Sequence, residues 1–142
     1  MSRGLIDSVR LMGSRPSAEM PKYFAVADVL LVTLVRSPIF ALTIPSKVQA
    51  YLACGRPIVA ALDGEGARVV EESGAGLTCA AQSPEQIVDR VRELQSMTED
   101  KRVAMGIAGR IYFERNFALS GLNMRLEKDL RQMSAEYLKC AS

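Results

Sequence analysis

The sequence predicts an α/β fold, part of a doubly wound sheet of about four parallel strands closed by a helical C-terminus. Two observations lead there. Short β-rich runs at residues 9–12, 29–34, 57–62 and, more weakly, 77–80 are apolar on both faces, as strands sandwiched between helices are. Helical patterns separate them, and that alternation specifies a Rossmann-like parallel sheet.

Each element follows from its own residues. Residues 17–27 form a short amphipathic helix with Met20, Phe24 and Ala27 on one face. The next helix starts at Pro45, Ser46 and Lys47, because the fixed φ of proline suits the first helical position. It stops about three turns later at Gly55, where a left-handed cap favours glycine. A further helix runs from Glu65 or Gly66 to Ser73 and ends in the turn Gly74, Ala75, Gly76. Ser83 then caps another helix, with Pro84 in its first turn and Gln86 placed to complete a capping box. Its apolar positions are Ile87, Val91 and Leu94. From Glu99 to Lys139 the pattern is helical, with a break at Asn116 and Phe117 and a stripe of Leu122, Leu126, Leu130 and Met133. Residues 1–142 read as one partial domain, with 99–142 as its closing helices. The first strand arrives about ten residues after Met1, so the other half of a doubly wound sheet is expected to be missing and one sheet edge to need a cover.

Composition narrows the function by exclusion. Eighteen basic and sixteen acidic residues give a net charge of +2, without the clustered basic excess that nucleic acid requires, so nucleic acid is not an expected partner. There is no histidine, which removes Ser-His-Asp and Cys-His chemistry from this chain. Cys54, Cys79 and Cys140 are widely spaced and lack a C-x-x-C pair. They read as reduced thiols, and no metal site is expected. The longest apolar run, residues 25–35, is interrupted by Asp28 and falls short of the roughly 20 residues that cross a bilayer. No transmembrane segment is expected. The N-terminus lacks the apolar core of a signal peptide, so a cytoplasmic location is expected, with peripheral association at the inner membrane face left open.

The chemistry concentrates in residues 40–60, a loop feeding a helix and then a buried strand. The first turn of that helix offers unpaired N–H groups and the positive end of the helix dipole, which favour a phosphate. Ser46 and Lys47 add a hydroxyl and a positive charge at the same end. The same Pro-Ser-Lys pattern also serves as a plain helix start, so spacing alone leaves both readings standing.

Residues 9–16, 20–32, 43–47, 51–60 and 64–76, in that order, are similar to the C-terminal domain of family 4 glycosyltransferases of the GT-B type that build bacterial surface polysaccharides. Residues 105–126, with Gly109, Arg110 and the run from Tyr112 to Phe117, resemble that family's closing helices. The resemblance implies a nucleotide-sugar donor, most often UDP-linked, lying across the carboxyl ends of the strands, and no separate cofactor. Arg15, in the loop after the first run, would meet the base, or else be a solvated loop charge. Thr43, Ile44, Pro45, Ser46 and Lys47 would meet the diphosphate and the sugar. Glu65 would accept a hydrogen bond from a sugar hydroxyl, or simply favour a helix N-terminus as any carboxylate does.

One departure stands out. Many family members carry two glutamates where this chain has Leu42 and Ala50, so no carboxylate carries over and no catalytic residue is assigned. In the Pro-Ser-Lys subgroup, Ser46 and Lys47 would take more of the phosphate contact. Tyr23, Phe24, Tyr112 and Phe113 read as packing residues, Cys54 as core filler, and Arg110, Arg115, Arg125 and Arg131 as a solvated face. The implied activity is transfer of a hexosyl group to a glycan or lipid-linked acceptor, not expected from this chain alone. The alternative is an inactive remnant or interaction subunit that dimerises or pairs with a second polypeptide. A related sugar epimerase is disfavoured by the missing histidine and the Pro-Ser-Lys match.

Overall fold

The computed structural model describes residues 8–140. Its centre is a three-stranded parallel sheet in the order β1 (Leu30–Thr33), β2 (Ile58–Ala61), β3 (Gly76–Cys79). Leu30 lies opposite Ile58, and Ile58 opposite Gly76. Helices fill every crossover. A 3-10 turn (Ser17–Glu19) leads into α1 (Met20–Ala25), ahead of β1. Next come α2 (Pro38–Ala41), α3 (Ser46–Cys54), α4 (Glu65–Ser73), α5 (Pro84–Ser96), α6 (Glu99–Asn116) and α7 (Leu119–Cys140).

Side-chain alternation explains which face each helix covers. Leu30, Val32, Ile58, Ala60 and Leu62 point to one face and pack with Val48, Leu52, Val69 and Val70 of α3 and α4. Leu52, Val48, Ile58 and Val70 are fully buried, and each such side chain contributes roughly 1.5–3 kcal/mol by leaving water. Val59 and Ala61 point the other way, where α5 supplies the fully buried Leu94. The cover stops short of β1, whose pattern alternates buried and exposed, with Leu31 49% accessible.

Close approaches fix the layers. A Cβ on Gly106 of α6 would lie 2.2 Å from the carbonyl oxygen of Gly55, so only glycine lets α6 meet the end of α3. Arg110 sits at that same end, donating from Nη1 to the Ala53 carbonyl at 2.6 Å and from Nε to Glu114 at 2.7 Å. It is therefore a bridge as well as a surface charge. Phe24 meets Tyr51 edge-on at 5.0 Å, and Tyr112 and Phe113 gather around Phe117.

Several expectations need correction. The described residues hold three strands, not about four, because residues 9–12 form none: Val9, Leu11 and Met12 are exposed. A strand exists only with a neighbouring ladder, and residues 9–12 have none among the described residues. The helix expected at 17–27 starts as a 3-10 turn and ends at Ala25. Pro45 is the N-cap of α3 and not its first residue. Ser83 is an N-cap without a side-chain cap bond; Gln86 reaches past it to accept the Ala80 N–H at 3.1 Å. Helix α2 was not anticipated. The stripe Leu122, Leu126, Leu130 and Met133 on α7 is present but exposed. The expected start of the chain before residue 8, and the side chains of Lys139 and Cys140, lie outside the described residues.

Candidate anion-binding site

The carboxyl ends of β1 and β2 each open into a loop that starts a helix, and the two loops are locked together. Gly64, the N-cap of α4, has φ 75°, a conformation glycine adopts freely. A Cβ there would lie 2.0 Å from the Ala41 carbonyl oxygen at the end of α2. Two residues on, a Cβ on Gly66 would lie 2.9 Å from Cδ of Pro45. The helix starts of α3 and α4 are thereby brought side by side at one edge of the sheet.

At the start of α3, Pro45 has no N–H, and Val48 donates to the Pro45 carbonyl at 2.9 Å. The N–H groups of Ser46 and Lys47 belong to the first turn, which has no intrahelical acceptor for them. Both side chains are exposed, and Lys47 has no acidic partner among the described residues. The far end of α3 closes on Gly55, left-handed at φ 64°. Thr43 is less free: its N–H and its hydroxyl both donate to the Phe40 carbonyl, at 3.2 and 3.1 Å. Ile44 packs against the core. Of the five residues 43–47, then, Thr43, Ser46 and Lys47 are exposed, Thr43 with its hydroxyl and N–H engaged by Phe40, while Ile44 and Pro45 are half-buried in the turn.

Glu65 stands in the first turn of α4, beside Pro45 through Gly66. Arg68 holds it, donating from Nη2 at 2.7 Å and from Nε at 3.0 Å. Those hydrogen bonds, with the arginine charge, keep its carboxyl below the usual range. Arg68 also pairs with Glu72, which accepts the Tyr112 hydroxyl at 3.1 Å and ties α4 to α6. Arg15 is not brought into this group: it lies in an exposed stretch without regular structure, and no hydrogen bond or ion pair joins it to another described residue.

Three residues at the same edge escaped sequence reasoning. Asp63, following β2, accepts Arg36 Nε at 3.1 Å on one oxygen and the Ala81 N–H at 3.1 Å on the other. Arg36, following β1, donates its own N–H to Gln82 Oε1 at 3.1 Å. Gln82, following β3, is the one non-glycine residue with positive φ among those described, at 61°. Asp63 was discoverable as the first polar residue after an apolar strand, at the carboxyl end where ligands of such sheets bind. Arg36 and Gln82 carry no comparable signal.

Cys54 and Cys79 are free thiols. Burial raises the pKa of both, which suits packing and not nucleophilic chemistry.

A three-stranded parallel sheet with helices in its crossovers and a helical C-terminus defines a partial Rossmann-like α/β unit. The chain belongs to the glycosyl transferases group 1 family, whose model matches residues 1–97. It is 34% identical over 91 residues to "Probable glycosyltransferase WbjE" of Pseudomonas aeruginosa, covering 61% of this chain and 22% of that protein. It is 28% identical over 131 residues to a protein of Mycobacterium tuberculosis named GDP-mannose-dependent alpha-(1-6)-phosphatidylinositol monomannoside mannosyltransferase, covering 90% of this chain and 34% of that one. The chain thus spans about a fifth to a third of the length of these relatives. No solved structure matches it significantly. No helix among the described residues is long and apolar enough to cross a membrane.

The site carries a pH signature. Asp63 is held below its ordinary pKa, first by the Ala81 N–H and then by Arg36, and Glu65 by Arg68. A depressed carboxyl stabilises the fold above its unfolded pKa, near 4 for both types, and that contribution is lost as pH falls through the folded value. The thermal midpoint is therefore expected to fall below about pH 4. Asp63→Asn and Glu65→Gln should each flatten that acid limb; unchanged profiles would contradict the contacts.

Proposed function

We propose that the chain is the donor-binding portion of a glycosyltransferase of the surface-polysaccharide type, which transfers a hexosyl group from a nucleotide-sugar to a glycan or lipid-linked acceptor. The observation that carries this reading is the first turn of α3: exposed Ser46 and Lys47 beside unpaired N–H groups, at the carboxyl edge of a parallel sheet. A diphosphate would accept from these donors. Such a site contributes to transfer by fixing the donor and stabilising charge on the departing diphosphate, without an acid or base of its own. The base would rest nearer Arg15, and the sugar nearer Glu65, once Arg68 releases it or bridges to the hydroxyl. A UDP-sugar is the donor proposed from the sequence; the GDP-mannose in the name of the M. tuberculosis relatives makes GDP the competing arm. The acceptor side of the reaction is assigned to a further domain, in the same polypeptide or another, and turnover by residues 1–142 alone is not expected.

Isothermal titration with UDP, GDP and pyrophosphate tests this. Binding is expected, and Lys47→Ala should weaken it by about ten- to a hundredfold, the roughly 1.5–3 kcal/mol of a charge-assisted hydrogen bond. No heat with any of the three, or an unaffected variant, would refute the site.

A second reading, an interaction subunit, draws on two uncovered surfaces: the exposed half of β1 and the stripe on α7. Light scattering after size exclusion decides it. A dimer or a complex with a partner chain supports that role, and a clean monomer at high concentration ends it.

A further inference from the structure

The three residues at the strand ends form a closed polar ring whose position relative to α3 gives it a role. Asp63 joins Arg36 to Ala81, and Gln82, next to Ala81, takes the Arg36 N–H. One carboxylate therefore ties together the exits of all three strands. Arg36 is also the first residue of the excursion that ends at the start of α3. That excursion, residues 36–45, is fixed at three points. Arg36 is held at its beginning, Ala41 lies against Gly64 in the middle, and Pro45 lies against Gly66 at its end. The last two contacts are made by the loop that begins at Asp63 itself. Moving Asp63 thus moves both the beginning of the excursion and the surface on which its end rests.

The ring is not a core feature. The side chains of Arg36 and Asp63 are 65% and 36% accessible, and an exposed ion pair contributes little to stability. Its geometry is nonetheless specific, since Asp63 uses its two oxygens on the segments that follow two different strands and Gln82, which accepts the Arg36 N–H, has a left-handed backbone, a conformation unfavourable for a side chain of that kind. An arrangement costly in backbone terms and weak in stability terms is better suited to placing a site than to holding a fold.

We propose that Arg36, Asp63 and Gln82 are positioning residues that set the first turn of α3 against that of α4 for diphosphate binding. The inference rests on the donor-site reading above. It asks nothing of Arg36 as a ligand: the guanidinium acts through the loop, and the diphosphate is met by Ser46 and Lys47.

The test compares UDP, GDP and pyrophosphate binding by titration calorimetry in wild type, Arg36→Met, Arg36→Lys, Asp63→Asn and Leu94→Val, with thermal midpoints for each and amide spectra of the unliganded proteins. Arg36→Met and Asp63→Asn should each weaken diphosphate binding by about tenfold with a small change in midpoint, and should shift the Ser46 and Lys47 amides before any ligand is added. Arg36→Lys, which keeps the charge opposite Asp63, should recover part of the affinity. Leu94→Val, trimmed on the opposite face, should lose stability and keep its affinity. Two independent pin variants guard against one failing to fold. Affinities within twofold of wild type in both, or an equal loss in Leu94→Val, overturn the positioning role while leaving the donor site standing. A wild-type chain that binds none of the three probes removes the donor-site reading and this role with it.

Discussion

The site depends on one steric constraint, the contact of two loops at points where only hydrogen fits. Gly64 against the Ala41 carbonyl and Gly66 against Pro45 bring two helix starts together at the carboxyl edge of the sheet. A Cβ at either place would overlap backbone or a ring that cannot move aside, so the loops would have to part. The parallel sheet makes such a meeting possible, because every strand in it ends at the same edge and every following helix begins there. The glycines convert that common edge into a shared surface.

Electrostatics completes what packing begins. The two acidic groups beside the starts of α3 and α4 are neutralised locally, Asp63 by Arg36 and the Ala81 N–H, and Glu65 by Arg68. Lys47 and the first-turn N–H groups of α3 are left without such a counter-charge among the described residues. The local balance therefore favours an anion at α3, whereas α4 already carries its own carboxylate in its first turn. Two neighbouring helix starts are thus made chemically unlike, Lys47 standing in the first turn of one and Glu65 in that of the other.

Legibility in the sequence followed the range of the interactions. Helix α3 was readable to within a residue, because Pro45 and Gly55 fix backbone angles that depend on little else. Helix α4 and the glycine turn before β3 were readable for the same reason, as was the break after Asn116. Residues 9–12 look like a strand by composition, but a strand exists only with a neighbour, and periodicity carries no record of which neighbour is present. Gln86 was a plausible capping partner for its own helix; the Ala80 N–H, brought near by the turn at Gln82, is the group it meets. Arg36 reads as a loop charge until the fold sets it opposite Asp63, 27 positions away. At the site itself, Ser46 and Lys47 were legible as a helix start, whereas the engagement of Thr43 with Phe40 and of Glu65 with Arg68 depended on rotamers and turns that spacing does not specify.

The family match spans residues 1–97, the part of the chain that holds all three strands and the starts of α3 and α4. The central claim is that the first turn of α3 is an anion site, and amide chemical shifts read it directly. On titrating UDP into labelled protein, the Ser46 and Lys47 amides should show the largest and saturable shifts, followed by those of residues 64–66, with α7 unmoved. Shifts confined to α7 or to the exposed face of β1, with Ser46 and Lys47 silent, would contradict the account.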